Sequence, residues 1–264
     1  MKTDYQTAIK ASIKAGEAIM YIYEKDFSVD YKDDASPLTE ADQKANSIIM
    51  DYLSATDIPV ISEEIKQLPY EQRKDWDKCW MVDPLDGTKE FIKKNGEFTV
   101  NIALIEDNKP IFGVVYLPAK KILYFGSQDS GSYMLELDNN SIDLDNPEQF
   151  AKKLPIGNRP EKFTIVASRS HMSPETEAFI EECKEKHGEV ELVSKGSSIK
   201  LCLVAEGKAH VYPRVAPTME WDTAAAHAVA KFAGCNVLDF YERGELVYNK
   251  ENLLNPYFIV SYEG

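Results

Sequence analysis

Cysteine, histidine and basic residues are scarce in this sequence, and each shortage excludes a class of protein. Cysteine occurs four times, at Cys79, Cys183, Cys202 and Cys235, with no C-x-x-C pair and no histidine at metal-ligand spacing. Such scatter excludes a disulfide framework and a Cys/His zinc site, and it predicts reduced, buried thiols. Lys and Arg number 30 against 44 Asp and Glu, a formal net charge of −14. A broad nucleic-acid or membrane surface needs a basic face, which this balance does not supply, so no nucleic-acid polymer is expected as a partner. No apolar run approaches the length of a membrane span. The segment 1–7 also lacks an apolar signal core, so the expectation is a cytoplasmic protein with no integral membrane segment.

What is present suits a globular chain. It has 264 residues, 44% hydrophobic and 28% charged, enough for one large domain or two smaller ones sharing a core. Tyr5, Ile9, Ile13, Gly16, Met20 and Tyr23 recur at spacings of three and four, the period of an amphipathic helix over 4–25. Thr39 opens a second helix, with Asp42 completing an approximate capping box. Residues 59–62 read as a short strand ending in Glu63-Glu64, 66–78 as a polar surface loop or lid, and 79–82 as a buried strand. Four β-type runs follow at 98–105, 110–116, 121–126 and 132–137, which predicts a meandering antiparallel sheet.

Residues 138–160 are polar, with Asn, Pro and Gly, and suit a junction. On that reading 1–155 is an N-terminal α+β subdomain carrying most candidate ligands, and 156–264 is a C-terminal α/β subdomain. The second half alternates, with strands at 163–167, 190–193 and 210–212 and helices at 174–186, 197–206 and 222–233. Strands at 236–240 and 258–261 complete it. The fold class is α+β with layered helices and sheets, antiparallel-rich first and alternating later.

The stretch Asp83-Pro84-Leu85-Asp86-Gly87-Thr88 carries the chemistry. Two carboxylates leave a buried strand three residues apart, Pro84 biases Asp83 toward extended backbone, and Gly87 allows a tight turn before a helix that Thr88 can cap. Further acids stand at element ends: Glu63-Glu64, Asp34 in the Ser-Pro loop, and Asp222 at the head of an alanine-rich helix. Hard cations such as Mg²⁺ take oxygen ligands and are held by a few carboxylates plus substrate phosphate. Grouped acids and a phosphate are compatible only if bound cations reverse the local field.

The blocks Asp34-Ala-Ser-Pro-Leu-Thr-Glu-Ala-Asp42, Ser62-Glu-Glu64, Asp83-Pro-Leu-Asp-Gly-Thr88 and Glu220-Trp-Asp222-Thr-Ala-Ala-Ala together resemble the inositol monophosphatase superfamily, in order and across nearly the whole chain. The continuation Thr88-Lys89-Glu90-Phe91 is similar to its 3′(2′),5′-bisphosphate nucleotidase branch, whose enzymes remove the 3′-phosphate of adenosine 3′,5′-bisphosphate, a by-product of sulfur metabolism. The segments 166–171 and 196–200 also resemble that branch.

The resemblance implies a fold of five alternating layers and a nucleotide substrate. It implies Glu63, Asp83 and the Leu85 carbonyl around one Mg²⁺, with Asp83, Asp86 and Asp222 around a second and Glu63 able to reach a third. Asp34 and the Thr88 hydroxyl would activate the attacking water. Gly87 and Thr88 N–H groups would bind phosphate, with Asp86, Glu63, Asp222 and Lys89 also near the substrate. His171, Ser197, Lys200 and Arg214 would contact the nucleotide. Inhibition by lithium, and a monomer or a homodimer, are further family expectations. His187, His210 and His227 are expected to be structural. An inositol or sugar monophosphatase, or a non-catalytic metal- and phosphate-binding protein, would use the same core.

Overall fold

The computed structural model describes residues 1–25, 29–31, 37–137, 142–167 and 172–262. Helix α1 (Thr3–Tyr23) buries Tyr5, Ile9, Ile13 and Gly16 of the stripe that the spacing predicts, and then Ile19 and Ile22, while Met20 and Tyr23 are only half-buried. An antiparallel pair, β1 (Val29–Tyr31) and β2 (Pro37–Thr39), leads into α2 (Glu40–Leu53). The capping box is present: the Thr39 N–H donates to Asp42 Oδ2 at 2.8 Å, and the Thr39 hydroxyl accepts the Ala41 N–H at 3.2 Å.

A seven-stranded sheet follows in chain order. Its strands are β3 (Val60–Ser62), β4 (Lys78–Asp86), β5 (Thr99–Glu106), β6 (Lys109–Leu117), β7 (Ile122–Ser127), β8 (Gly131–Glu136) and β9 (Lys152–Lys153). Only the β3–β4 pair is parallel; the rest form the expected meander. Strands β4 to β7 are buried on both faces, so they read as apolar runs rather than as alternation.

The segment 66–78 departs from the expected surface loop. A short helix, α3 (Tyr70–Arg73), interrupts it, and Arg73 is only 3% exposed. Its guanidinium is satisfied by Asn249, Lys250 and Glu251, a distant pairing that polar composition hides. Another short helix, α4 (Thr88–Ile92), follows β4.

The second sheet has five strands: β10 (Phe163–Ala167), β11 (Val190–Ser194), β12 (Val211–Arg214), β13 (Cys235–Asp239) and β14 (Phe258–Tyr262). Their order is β11-β10-β12-β14-β13, parallel at the β11 side and antiparallel at the β13 side. The helices of this half are α5 (Pro174–His187), α6 (Ile199–Glu206) and α7 (Glu220–Phe232). α7 starts before the expected position because the Glu220 N–H finds the Leu253 carbonyl at 2.9 Å, which places Asp222 in its first turn.

The layers follow from what each helix covers. α1 and α2 close one face of the large sheet, α6 and α7 lie between the two sheets, and α5 closes the outer face of the smaller one. This α+β, αβαβα stack is the one expected. Its central helix sits unusually close to the sheet: a Cβ on Gly113 would stand 2.2 Å from the Ala225 carbonyl oxygen and 2.8 Å from Ala228 Cβ. The alanine run of α7 therefore lies against bare strand backbone, and that contact sets where its first turn, with Asp222, meets the sheet. The four cysteines are buried and unbridged. Among the described residues no helix is long and apolar enough to cross a membrane.

Candidate metal centre and active site

Strand β4 delivers two acids by means of a bulge. Asp83 pairs with Asn101 and Asp86 with Thr99, so three steps on β4 oppose two on β5. Without the extra residue, side chains three apart would point to opposite faces of the sheet. The bulge restores a common direction, and Pro84, which has no N–H to leave unsatisfied, sits within it. Gly87 then turns at φ +93°, where a Cβ would stand 3.1 Å from the Glu97 carbonyl oxygen. A non-glycine residue there would be strained and crowded.

Three acids from three elements converge. Glu63 follows β3, Asp83 lies on β4 and Asp222 on α7, and each offers a carboxylate oxygen within 4.8 Å of the others. Asp83 is 1% exposed. Burial, then the charges of Glu63, Asp86 and Asp222, push its pKa well above the usual carboxylate range, against the Leu85 N–H that donates to it at 3.0 Å. Asp222 is pushed up to about 8, by burial first and by Asp86 next, against the Met219 N–H and Arg214. Asp86 is pushed up to about 6 by burial, offset by Lys200, by the Ser198 N–H at 2.6 Å and by Asn101. Protein cations and N–H donors thus fall short of neutralising the group. An all-oxygen donor set with surplus negative charge fits a hard divalent cation.

A cavity of about 520 Å³ adjoins these acids, with Asp86, Gly87 and Asp222 in its wall beside Lys89, Ser197, Lys200 and Arg214. Lys200 is 8% exposed, and its ammonium donates to the carbonyls of Ser197 at 2.8 Å and Lys195 at 3.3 Å. Burial brings its pKa down to about 8, against the pull of Asp86. Arg214 donates to the Pro217 carbonyl, while its buried Nε has no hydrogen-bond partner among the described residues. Lys89 is exposed at the rim. The cavity wall therefore carries acids and cations together, with Lys200 near Asp86 and Arg214 near Asp222.

Several site residues escaped the sequence reading. The Thr88 hydroxyl donates to Asp42 Oδ1 at 3.3 Å and to the Leu85 carbonyl at 3.4 Å. The sequence spacing assigns Asp42 a helix cap, but a carboxylate has two oxygens, and the cap uses Oδ2. Asp34 and His171 lie outside the described residues. Ser198 ties Asp86 to Asn101 and Thr99, which its neighbour Ser197 only partly suggested. Glu97 holds the loop before α6, accepting from Lys195 Nζ and the Gly196 N–H at 2.9 Å each. The three described histidines are structural as expected: His210 Nδ1 accepts the Thr164 N–H, His187 stacks on Phe163, and His227 pairs with the Tyr248 hydroxyl.

A model of the inositol monophosphatase family matches residues 1–258. The chain belongs to the inositol monophosphatase family. Within that family it is 45% identical over 251 residues to the 3′(2′),5′-bisphosphate nucleotidase CysQ of Shigella flexneri, spanning 94% of this chain and 95% of that one. The crystal structure of CysQ from Bacteroides thetaiotaomicron is 50% identical and superposes with a TM-score of 0.91, covering 100% of this chain and 98% of that chain. The SuhB protein of Bartonella henselae, at 24% identity and a TM-score of 0.75 over 99% of this chain and 94% of that one, shares the fold.

Proposed function

We propose that this chain is a Mg²⁺-dependent 3′(2′),5′-bisphosphate nucleotidase that hydrolyses adenosine 3′,5′-bisphosphate to AMP and phosphate. The observation that carries this reading is a single cavity whose wall holds Asp222 of the metal-type cluster and Asp86 together with Lys200 and Arg214. A substrate with one phosphate needs only the metal-type acids. A bisphosphate has a second phosphate for Lys200 and Arg214 to meet, and the two CysQ relatives share nearly the full length of the chain.

Glu63, Asp83, Asp86, Asp222 and the Leu85 carbonyl would hold two Mg²⁺ ions, with Glu63 able to reach a third. Bound there, the ions would supply the positive charge that admits a phosphate and the acidity that makes water a nucleophile near neutral pH. Thr88 orients the attacking water through its hydroxyl, and we assign the proton-accepting role to Asp42, which that hydroxyl reaches. Asp34, the sequence candidate for that role, lies outside the described residues. The N–H groups of Gly87 and Thr88, at the start of α4, face the phosphate oxygens in this reading.

Lys200, Ser197 and Arg214 receive the 5′-phosphate, for which a guanidinium fork is well shaped. Lys89 adds charge at the rim, and His171 is assigned to adenine stacking. A place in sulfur metabolism, inhibition by lithium, and a cytoplasmic setting belong to the same proposal, the last supported by four unbridged thiols.

The test is phosphate release from adenosine 3′,5′-bisphosphate and inositol 1-phosphate, side by side with Mg²⁺. Strong preference for the nucleotide is expected. Preference for the inositol ester would overturn the substrate, and turnover of neither would point to a binding protein without catalysis.

A further inference from the structure

Glu220 stands two residues before Asp222, is wholly buried, and does not line the cavity. A carboxylate withdrawn from water is costly unless paired and hydrogen-bonded, and an apolar side chain could fill the space without that cost. The structure shows what the carboxylate does there. One oxygen accepts the Asn249 N–H at 2.5 Å, and the other accepts the Lys250 N–H at 3.1 Å and the Lys250 ammonium. The same segment is gripped from the other side by Arg73. Its Nη1 donates to Asn249 Oδ1 at 2.6 Å and to the Lys250 carbonyl at 2.7 Å, and its Nη2 donates to the Glu251 carbonyl at 3.0 Å. Asn249 returns a bond to the Arg73 carbonyl at 2.8 Å and is held at φ +59°.

These contacts run between the two halves of the metal centre. Arg73 lies on α3, between Glu63 and Asp83 in the chain, and Gln67, earlier in that connection, donates to the carbonyls of Ser62 and Ile65 beside Glu63. Glu220 is the first residue of α7, whose start is also bound to the residues that follow that segment, by the Glu220 N–H to the Leu253 carbonyl and by Asn255 Nδ2 to the Met219 carbonyl at 2.7 Å. Like-charged carboxylates repel, so three of them from separate elements stay within 4.8 Å only if their backbones are held. We propose that Glu220, with Arg73, is a positioning residue of the metal centre: through the strap at 249–251 it fixes Asp222 against Glu63 and Asp83 before a cation arrives. The inference rests on the metal reading above.

The experiment is a Mg²⁺ titration followed by thermal melting, on wild type, Glu220→Gln and Arg73→Lys, with initial rates at saturating Mg²⁺ alongside. Gln keeps the volume but puts an NH₂ group against a donor. The expected result is a Mg²⁺ midpoint raised about 10-fold in Glu220→Gln, as for other supports of metal ligands, with kcat at saturation within about 2-fold. A lowered melting temperature with an unchanged midpoint would show a merely structural role and overturn the inference. Should Glu220→Gln fail to fold, amide exchange in the wild type decides. Coupling is reciprocal, so Mg²⁺ must slow exchange at the Asn249 and Lys250 amides, and unchanged exchange overturns the inference. A wild type that ignores Mg²⁺ altogether overturns the metal reading itself, an outcome distinct from a variant that responds as the wild type does.

Discussion

Asp83→Asn should make the metal-free protein more stable while abolishing its response to Mg²⁺. The substitution keeps shape, and the new amide oxygen can still accept the Leu85 N–H that donates at 3.0 Å. What changes is charge. With carboxylate oxygens no more than 4.8 Å apart, one ionised pair at an effective dielectric of 20 repels by at least about 3 kcal/mol. The cluster retains a proton instead of ionising fully, which brings the relief down to roughly 1–2 kcal/mol at pH 8.

The sign with pH follows. A carboxyl whose folded pKa is raised contributes stability that is full below the ordinary carboxylate range and is lost as pH rises through the folded value. For Asp86 and Asp222 those values are about 6 and about 8. Metal-free wild type should therefore lose stability as pH rises from about 4 to about 8, and Asp83→Asn should lose less. At roughly 2 °C per kcal/mol for a chain of this size, the variant should melt about 2–4 °C above wild type at pH 8 in EDTA and level with it at about pH 3.5, below the ordinary carboxylate range. Adding Mg²⁺ to about 100 times its dissociation constant stabilises wild type by about 2.7 kcal/mol, or about 5 °C, and leaves the variant unmoved. The order of melting temperatures thus inverts on adding metal. A variant that melts well below wild type in EDTA, or that gains as much from Mg²⁺, refutes the reasoning.

Other outcomes follow from single contacts. Thr88→Ala, which removes the hydroxyl that reaches Asp42, should lower kcat by about 10²–10³-fold while the Mg²⁺-induced melting shift persists; loss of that shift would mean Thr88 supports the metal instead. Lys200→Met should lower kcat/KM for adenosine 3′,5′-bisphosphate by at least about 10-fold, mostly in KM, consistent with loss of a charged contact, and should barely affect 3′-AMP; equal losses on both would place Lys200 at the scissile phosphate. Gly113→Ala drives a methyl into the Ala225 carbonyl and should cost about 1–3 kcal/mol, read by urea unfolding, with an unchanged midpoint refuting the close approach of α7.

Local pattern made the outer frame of this protein legible. The helical stripe of α1, the Thr39 cap and the four strands of the meander follow from periods and turn residues that act over a few positions. Arg73 illustrates what such patterns miss: its segment is polar, yet the side chain is buried because its partners lie far along the chain at 249–251. Asp42 illustrates another gap. Its capping role was visible at spacing three, but its second oxygen meets Thr88, 46 residues away. Glu63, Asp83 and Asp222 could be grouped from sequence only because their motifs resemble a family, since nothing in the spacing of three acids across the chain says that they meet.

Two backbone features determine that they do meet. The bulge in β4 turns both Asp83 and Asp86 toward the same end of the large sheet. Gly113 then lets α7 approach the sheet closely enough for its first turn to bring Asp222 to that end. Neither feature carries a charge, and neither would draw notice as a site residue. Yet a regular β4 would send one acid to the opposite face, and a side chain at position 113 would push α7 outward, separating Asp222 from Glu63 and Asp83. Surplus negative charge at one point is therefore built by steric means, from proline and glycine positions in the strands, while the carboxylates themselves oppose it. That opposition is why a cation has something to gain by binding there.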